Sequence, residues 1–335
     1  MTEIIKNSAP IVLNEIKNAK HILLHCHPSP DPDSLGSALA MKLAIESLNK
    51  KVTLIKGDNE IPKAFVFPAV DTIVQKSFCE LNINEFDLFI ILDSAHFGMV
   101  SSKFKDTVFP DSLKTIVIDH HASTKEYGNI NCIDSTYPAT AQMVFDLLKE
   151  MNIPLNHDIA LNIFMGIYGD TGGFQYGNIN SDTFRIVSEL TKFATDFKDT
   201  VFTMKNSNSR GRLIFERLML SSIEEYYNSQ LVIASISFEQ LKNNNIKDND
   251  YRGSEIINII KSIIGFDIVV SMIESEEGKI EISFRTRDIN KYDLSKLALA
   301  LGGGGHKGAA GAELNMTLDK AKETLVEKVK LIYNI

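Results

Sequence analysis

The chain has 335 residues, of which 44% are hydrophobic and 23% are charged, and its formal net charge is −8. This length predicts two domains, and this composition is ordinary for a globular protein. The acidic balance argues against a protein that coats long nucleic acid through bulk electrostatics, although a local basic pocket for a short anionic ligand remains compatible with it.

The three cysteines, Cys26, Cys79 and Cys132, form no CxxC pair, and this sparse, odd number is typical of reduced thiols rather than of a disulfide framework. The first twenty residues have the pattern of an amphipathic helix and lack the apolar core of a signal peptide. The longest apolar runs have the length of a strand and are too short to span a membrane. We therefore expect a cytoplasmic protein without membrane contacts.

The first half of the chain alternates short apolar runs with helical patterns. Nearly continuous apolar strands that alternate with helices are typical of a parallel sheet covered by helices on both faces, so we predict an α/β fold. The predicted strands are 21–26, 52–55, 88–92 and 115–118, and the predicted helices are 34–49, 139–151 and 158–168.

The strand signal disappears between 191 and 228, where 197–204 and 211–227 look helical, and a smaller α+β domain then follows. Gly278 marks a hairpin turn within that domain. Its predicted strands are 231–237, 267–273 and 279–286, and its predicted helices are 255–264, 294–301 and 318–333. We therefore predict a first domain at 1–190, a helical linker at 191–228 and a second domain at 229–335.

Aspartate and histidine residues cluster where three of the predicted strands end, and Asp170 ends a helix beside a Thr-Gly-Gly turn that can return it to the same edge. Ligands of open parallel sheets bind beyond the carboxyl ends of the strands, so we expect these side chains to converge. The set comprises His27, Asp31, Asp33, Asp93, Asp119, His120, His121 and Asp170.

This mixture of carboxylates and imidazoles suits Mn²⁺, Zn²⁺, Fe²⁺ or Co²⁺, whereas an all-oxygen set would suit Mg²⁺ or Ca²⁺ better. A site rich in aspartate favours a pair of ions ~3.5–4 Å apart, which can bind phosphate oxygens and lower the pKa of water. A single aspartate after a strand is more often a helix cap, and Asp33 could simply cap the helix that follows it. Convergence of four segments nevertheless favours a metal-dependent hydrolase.

The motifs HPSPDPDSLGS, LDSAH, DHH and GDTGGF resemble, in order and spacing, those of the DHH phosphoesterase superfamily. The later motifs FRTRD and LGGGGHKGAAG resemble the DHH-associated domain, and the ordered set is far more specific than the DHH tripeptide alone. The resemblance covers essentially the whole chain. It implies a catalytic DHH domain, a substrate-binding DHH-associated domain and an active site in the cleft between them.

The resemblance also implies roles for individual residues. His121 is similar to the family's phosphate-contacting histidine, and Asp119 to a carboxylate that orients a neighbouring histidine, so these two are the expected catalytic residues. The usual metal is Mn²⁺, as a pair of ions that Mg²⁺ or Co²⁺ could replace. The implied ligands are His27, Asp31 and Asp93 for one ion, and Asp33, Asp93, His120 and Asp170 for the other.

In the second domain, the glycine run before His306 can expose backbone N–H groups to a phosphate, although a flexible loop is the competing interpretation. Arg285 and Arg287 share a strand face, where guanidinium groups suit phosphate but also suit a solvated surface. The resemblance favours Arg285, and Lys307 is a further candidate. The expected substrate contacts are His121, Arg285, Gly303, Gly304, Gly305 and His306.

Two further segments have open interpretations. Phe174 and Tyr176 could stack on a base, or they could pack in the core or at a hinge. The segment 135–140 is expected to begin the helix at 139–151 and to lie beside the metal site without a direct catalytic role.

Within the superfamily, the chain departs from inorganic pyrophosphatases, which lack the GGGGH segment, and from RecJ-type exonucleases, which carry an added oligonucleotide-binding fold. It also lacks the transmembrane segments of the membrane-bound cyclic-dinucleotide phosphodiesterases. It resembles the compact stand-alone members, the bifunctional oligoribonucleases (nanoRNases) that also dephosphorylate pAp, an activity of the 3′(2′),5′-bisphosphate nucleotidase type.

We therefore expect a Mn²⁺-dependent phosphodiesterase that hydrolyses di- to pentanucleotides of RNA to mononucleotides, and pAp to AMP. The expected partners are short single-stranded RNA or small nucleotides rather than long duplexes, and a homodimer is compatible with the family. One alternative is a phosphodiesterase of c-di-AMP, c-di-GMP or their linear products pApA and pGpG. An inactive nucleotide-binding protein is the other, and the intact set of metal ligands argues against it.

Overall fold

The computed structural model describes residues 1–103, 109–175, 177–252 and 254–335. These residues form two compact units, Met1–Ser207 and Asn208–Ile335. The division falls within the predicted linker at 191–228. Each unit has its own sheet and its own hydrophobic core.

The first unit is built on a five-stranded parallel sheet with the order β2-β1-β3-β4-β5. The strands are β1 (His21–His25), β2 (Lys51–Ile55), β3 (Leu88–Leu92), β4 (Lys114–Asp119) and β5 (Ile130–Ile133). The parallel α/β fold and the four predicted strands are confirmed. The edge strand β5 was not predicted, because it has four residues and only one of them, Cys132, is buried.

The α-helices of this unit lie on one side of the sheet and share a continuous apolar core with it. They are α1 (Glu3–Asn18), α2 (Pro32–Ser47), α3 (Thr140–Glu150), α4 (His157–Asp170), α5 (Ser181–Leu190) and α6 (Phe197–Asn206). Within the described residues, the opposite face is covered by 3₁₀ turns and loops that supply aromatic side chains such as Phe78 and Phe86. The prediction of helices on both faces is therefore confirmed for one face, whereas 3₁₀ turns and loops take the place of α-helices on the other face within the described residues.

The second unit contains a six-stranded mixed sheet with the order β10-β11-β9-β8-β7-β6, in which β7 and β8 are parallel and the other neighbours antiparallel. Its strands are β6 (Glu224–Tyr226), β7 (Leu231–Ile236), β8 (Ile268–Glu276), β9 (Lys279–Thr286), β10 (Gly304–Gly305) and β11 (Ala309–Asn315). Its helices are α7 (Arg210–Ser221), α8 (Phe238–Asn243), α9 (Asp248–Tyr251), α10 (Ile256–Lys261), α11 (Leu294–Ala300) and α12 (Leu318–Tyr333).

The helical stretch between the predicted domains differs in detail from the prediction. The helix predicted at 211–227 ends at Ser221, and β6 then pairs antiparallel with β7. Phe215 and Met219 of α7 are buried in the core of the second unit, whereas α6 packs on the core of the first. The two helical patterns therefore belong to different units, while the domain limits at 190 and 229 remain predictions.

The β8–β9 hairpin turns at Gly278, whose φ of 76° is the left-handed conformation expected there. All three cysteines are free thiols, and Cys26 and Cys132 are buried. In the part of the chain that the structure describes, no helix is long and apolar enough to cross a bilayer.

Candidate metal centre

The candidate ligands converge at the carboxyl edge of the first sheet. His27 follows β1, Asp93 directly follows β3, and Asp119 is the last residue of β4. Asp170 is the last residue of α4, and its Oδ2 lies 3.4 Å from Nε2 of His120. Among the described residues, ligand atoms within 4.8 Å of one another form three groups: His27, Asp31 and Asp93; Asp33, His120 and Asp170; and Asp93, His120 and His121.

Asp93 occupies the middle of this arrangement. Its Oδ2 is 3.5 Å from Nε2 of His27, and its Oδ1 is 3.5 Å from Nε2 of His120. Thr140 Oγ1 donates a hydrogen bond to Oδ1 at 3.0 Å, which fixes the carboxylate plane. The backbone φ of Asp93 is 57°, a strained conformation for a non-glycine residue that is typical of functional sites. Oδ2 of Asp93 therefore lies near His27, whose Nε2 donates its hydrogen bond to the backbone carbonyl of Asp93, and Oδ1 lies near His120.

Asp33 is held by the beginning of α3. The backbone N–H groups of Thr140 and Ala141 donate to its two oxygens at 2.7 and 2.9 Å, and Ser37 Oγ donates at 3.2 Å. The helix start lacks a side-chain cap of its own because Ala139 occupies the N-cap position. Asp33 thus supplies the anion that the first turn of α3 needs, and the helix in turn fixes the carboxylate.

The structure gives the capping role near α2 to Asp31 rather than to Asp33, which corrects the alternative interpretation of Asp33. Asp31 Oδ1 accepts from the backbone N–H of Ser34 at 2.8 Å, at the N-cap position of α2. Its Oδ2 lies 3.5 Å from Nδ1 of His27. One oxygen of Asp31 therefore caps the helix while the other faces the candidate metal site.

Hydrogen bonds also orient the two histidines of the DHH motif. His120 Nδ1 donates to the carbonyl oxygen of Tyr137 at 3.2 Å, which leaves the Nε2 lone pair directed at the carboxylates. His121 Nδ1 instead donates to Oδ1 of Asp119 at 2.7 Å, and Thr124 Oγ1 donates to the other oxygen of Asp119. His121 therefore has only Nε2 left for another partner, which suits a substrate contact.

The clustered carboxylates repel one another. Burial, followed by the charges of Asp33 and Asp31, raises the pKa of Asp93 well above its usual range. The same causes raise the pKa of Asp170 to about 8. Within the described residues, the ion pairs of these carboxylates are formed with histidines alone. A cluster of buried anions together with the directed Nε2 lone pair of His120 fits bound divalent cations of the type that accepts both oxygen and nitrogen ligands.

The two arginines considered in the second unit have different environments. Arg285 is half-buried, and its Nη1 donates to its neighbouring carbonyl, that of Phe284, at 2.9 Å. Arg287 Nη1 donates to the carbonyls of Ser262 and Ile263 at 3.1 and 2.8 Å, just beyond the end of α10. Arg287 is therefore engaged with a helix end, and Arg285 remains the better candidate for an anion.

Close packing of the backbone requires glycine at positions 303 and 305, independently of any phosphate binding. A Cβ at Gly303 would meet the carbonyl oxygen of Gly311 at 2.1 Å, and Gly305 has a φ of 138° close to Ala310. These glycines allow β10 to approach β11, which pairs with β9 beside Arg285. Gly304 lies in the edge strand β10, His306 directly follows that strand, and both residues are exposed.

Several supporting groups were not predicted individually. Thr140, Ser37, Thr124 and the Tyr137 carbonyl orient the ligands, and the sequence indicated only that 135–140 begins the helix beside the site. That expectation agrees with α3, which begins at Thr140. Phe174 is partly buried against the first core, while Tyr176 lies outside the described residues.

Two family models match this chain. Residues 21–167 match the DHH family, N-terminal domain, and residues 234–334 match the DHHA1 domain. The first match contains the candidate ligands from His27 to His121, and it ends three residues before Asp170. The second match contains Arg285 and the glycine run.

Similar proteins extend over nearly the whole chain. The bifunctional oligoribonuclease and PAP phosphatase NrnA of Thermus thermophilus is 27% identical over 92% of this chain and 89% of its own length. The protein of the same description in Bacillus subtilis is 26% identical over 91% of this chain and 93% of its length. A crystal structure of an exopolyphosphatase-related protein from Bacteroides fragilis superposes with a TM-score of 0.87 at 25% identity, covering 100% of both chains.

Proposed function

Because this chain contains a DHH N-terminal domain at 21–167 and a DHHA1 domain at 234–334, we propose that it is a divalent-metal-dependent phosphodiesterase. Its substrates in this proposal are di- to pentanucleotides of RNA, which it hydrolyses to mononucleotides, together with pAp, which it hydrolyses to AMP. The proposal is supported by the bifunctional oligoribonuclease and PAP phosphatase relatives, which match over about nine-tenths of the chain.

The observation that carries the proposal is the convergence of two histidines and four aspartates at one sheet edge. We propose that one ion binds His27, Asp31 and Asp93, and that a second binds Asp33, Asp93, His120 and Asp170, with Asp93 shared. The preferred metal in this proposal is Mn²⁺, with Mg²⁺ or Co²⁺ as substitutes. Such cations offset phosphate charge and make a bound water more acidic.

The remaining residues of the proposed mechanism belong to the chain itself. Asp119 holds the Nδ1 proton of His121, so that Nε2 of His121 faces outward and can bind a phosphate oxygen. Burial lowers the pKa of His121, but the hydrogen bond and charge of Asp119 outweigh this and raise it overall, which favours the hydrogen-bond-donating cationic form.

In the second domain, we propose that Arg285, the N–H groups of Gly303, Gly304 and Gly305, and His306 bind the substrate's phosphates. The environment of Arg285 supports this assignment, because burial removes water from its guanidinium and lowers its pKa, and an anionic partner would offset that loss. We also propose a cytoplasmic location, in keeping with the free thiols, and a homodimeric assembly.

The proposal is tested by incubating the purified protein with Mn²⁺ and, in parallel, pApA, pAp, c-di-AMP and a long single-stranded RNA. We expect fast release of AMP from pApA and pAp and little cleavage of the long strand. Faster turnover of c-di-AMP than of pApA would reassign the protein to cyclic-dinucleotide breakdown. Absence of turnover of all four substrates would favour the inactive nucleotide-binding protein.

A further inference from the structure

An apolar cavity of about 510 Å³ lies within the first unit, among the end of α4, the turn after it, α5 and α6. Aromatic side chains line it, including Tyr168, Phe174, Phe197 and Phe202. Its volume is in the range of small-molecule binding pockets, whose walls are also mainly apolar and aromatic. The metal centre does not use these residues.

The cavity adjoins the metal centre along the chain. Tyr168 and Phe174 lie two residues before and four residues after Asp170, whose carboxylate is 3.4 Å from His120. The last turn of α4 therefore carries both a candidate metal ligand and part of the cavity wall. A group bound in the cavity would therefore contact the same helix turn that carries Asp170.

The turn that presents Phe174 is strained. Gly172, Gly173 and Phe174 have φ values of 58°, 71° and 66°, a left-handed run that an aromatic residue rarely adopts. The turn is held by hydrogen bonds from Gly173 N to Tyr168 O at 2.8 Å and from Phe174 N to Thr171 Oγ1 at 3.0 Å. The ring of Phe174 consequently stands edge-on to Tyr168, with centroids 5.9 Å apart.

The outer wall of the cavity combines an aromatic ring with two cations. Lys198, Phe202 and Lys205 occupy positions i, i+4 and i+7 of α6, so they share one helix face. Phe202 is 67% exposed, so its ring is accessible to a ligand at the outer edge of the cavity. Among the described residues, neither lysine forms an ion pair with a carboxylate. Aromatic rings interleaved with basic side chains are the pattern that binds bases and phosphates of a single strand.

We propose that this cavity is a base-binding subsite, in which a nucleobase of the oligonucleotide stacks on Phe202 and Phe174 while Lys198 and Lys205 bind the flanking phosphates. The inference rests on the proposed function, because it assigns the ligand to the same RNA substrate. It adds substrate contacts outside the metal centre, made by the first unit alone.

The test compares Phe202→Ala and the double variant K198Q/K205Q with Phe193→Ala and Lys192→Gln. The controls change an exposed phenylalanine and an exposed lysine of the same region that do not line the cavity. KM and kcat are measured on an RNA trimer and on trimers in which each residue in turn is abasic. Loss of one stacked base is expected to raise KM about tenfold.

For wild-type protein, we expect KM to rise about tenfold when one particular residue of the trimer is abasic. For Phe202→Ala, we expect KM for the intact trimer to be raised by the same factor, and the abasic residue at that position to cause no further rise. The K198Q/K205Q variant should raise KM for every trimer, and the controls should behave as wild type. A wild-type KM in Phe202→Ala would overturn the subsite. A molar mass of Phe202→Ala below that of wild type in light scattering would also overturn the subsite, because it would show that this face joins two copies of the chain.

Failure of the proposed function has a different signature, since wild-type protein would then cleave none of the trimers. The subsite is decided in that case by calorimetric titration of AMP into chelator-treated protein. Binding by wild type that Phe202→Ala loses and Phe193→Ala keeps would support the subsite. Equal binding by all three proteins, or binding by none, would refute it.

Discussion

The candidate functional groups of the two units differ in burial and in how many hydrogen bonds hold them in place. In the first unit, Asp33 and Asp93 are 1% and 2% exposed and are fixed by hydrogen bonds from Thr140 and Ala141. In the second unit, the guanidinium of Arg285 makes one local hydrogen bond, and His306 is exposed. Buried anions need bound cations to offset their repulsion, whereas partly exposed cations tolerate the absence of a ligand.

This difference agrees with the proposal that the buried carboxylates of the first unit bind metal ions and that Arg285 and His306 of the second contact phosphate. Changes to the proposed metal ligands of the first unit should therefore affect metal binding and kcat, and changes to the proposed phosphate-binding residues of the second should affect KM.

Replacement of the shared carboxylate should have the largest effect. Asp93→Ala removes a proposed ligand of both ions, so we expect kcat/KM to fall by at least about a thousandfold, since metal ions supply several kcal/mol of transition-state stabilisation. Kinetics on pApA and metal content by mass spectrometry check this. The control is Asp71→Ala, which removes an exposed carboxylate of the same unit. Activity of Asp93→Ala near that of the control would refute the metal assignment.

Loss of a supporting hydroxyl should have a smaller effect of the same kind. Thr140→Val removes the hydrogen bond to Asp93 Oδ1 but preserves the side-chain shape. Groups that orient metal ligands typically contribute 10–100-fold, so we expect about a tenfold to hundredfold loss in metal affinity or kcat. Titration of activity with Mn²⁺ measures it. Thr140→Ser should restore most of the loss, and equal defects in both variants would show that packing, not the hydroxyl, matters.

The two arginines offer a matched test in the second unit. A hydrogen bond to a charged group is worth about 1.5–3 kcal/mol, so Arg285→Gln should raise KM for pApA roughly tenfold to a hundredfold with a smaller change in kcat. Arg287→Gln should leave KM unchanged and lower stability by at most about 1 kcal/mol, because Arg287 contacts the α10 end. A KM effect for Arg287→Gln that equals or exceeds that of Arg285→Gln would reverse the assignment.

The smallest expected effect is on the pH dependence of stability in chelator-treated protein. Burial and neighbouring carboxylates raise the pKa values of Asp93 and Asp170, the latter to about 8, and Asp31 raises that of His27 despite its burial. Groups with raised pKa values bind more protons in the folded state than in the unfolded state. The buried His25, whose pKa burial lowers to about 3, opposes this trend below about pH 7, so stability should fall as pH rises from about 7 to about 8.5.

The lowered pKa values of Asp31 and Asp119 do not oppose this trend, because their contribution is lost only at acidic pH, below that window. Thermal melts with and without Mn²⁺ measure the effect, and Mn²⁺ should raise Tm most at the alkaline end. A Tm of chelated protein that rises with pH across the window would contradict the electrostatic account.

Much of the fold could be predicted because its strongest signals are local. The apolar runs of β1, β3 and β4 are fully or almost fully buried, as their sequences indicate. By contrast, β11 is rich in alanine and glycine, which have low strand propensity, so its strand conformation depends on pairing with β9. The strand β6 likewise forms because β7 lies beside it, and the sequence pattern alone favoured a longer helix.

The site divides in the same way. The aspartates and histidines could be predicted because strand ends bring them to one edge. The groups that orient them could not be predicted, because the Thr140 and Ala141 amides and the Tyr137 carbonyl are backbone groups, which every residue type provides. Whether Asp31 or Asp33 caps α2 depends on where the helix begins, and Pro32 at its first position places Asp31 at the N-cap.

The central claim is tested most directly by the rate of AMP release from pApA by wild-type protein stripped of metal and then titrated with Mn²⁺. The account predicts no turnover after chelation and full recovery as Mn²⁺ is added, with Asp93→Ala inactive throughout. Turnover that survives chelation, or that Asp93→Ala retains, would contradict it.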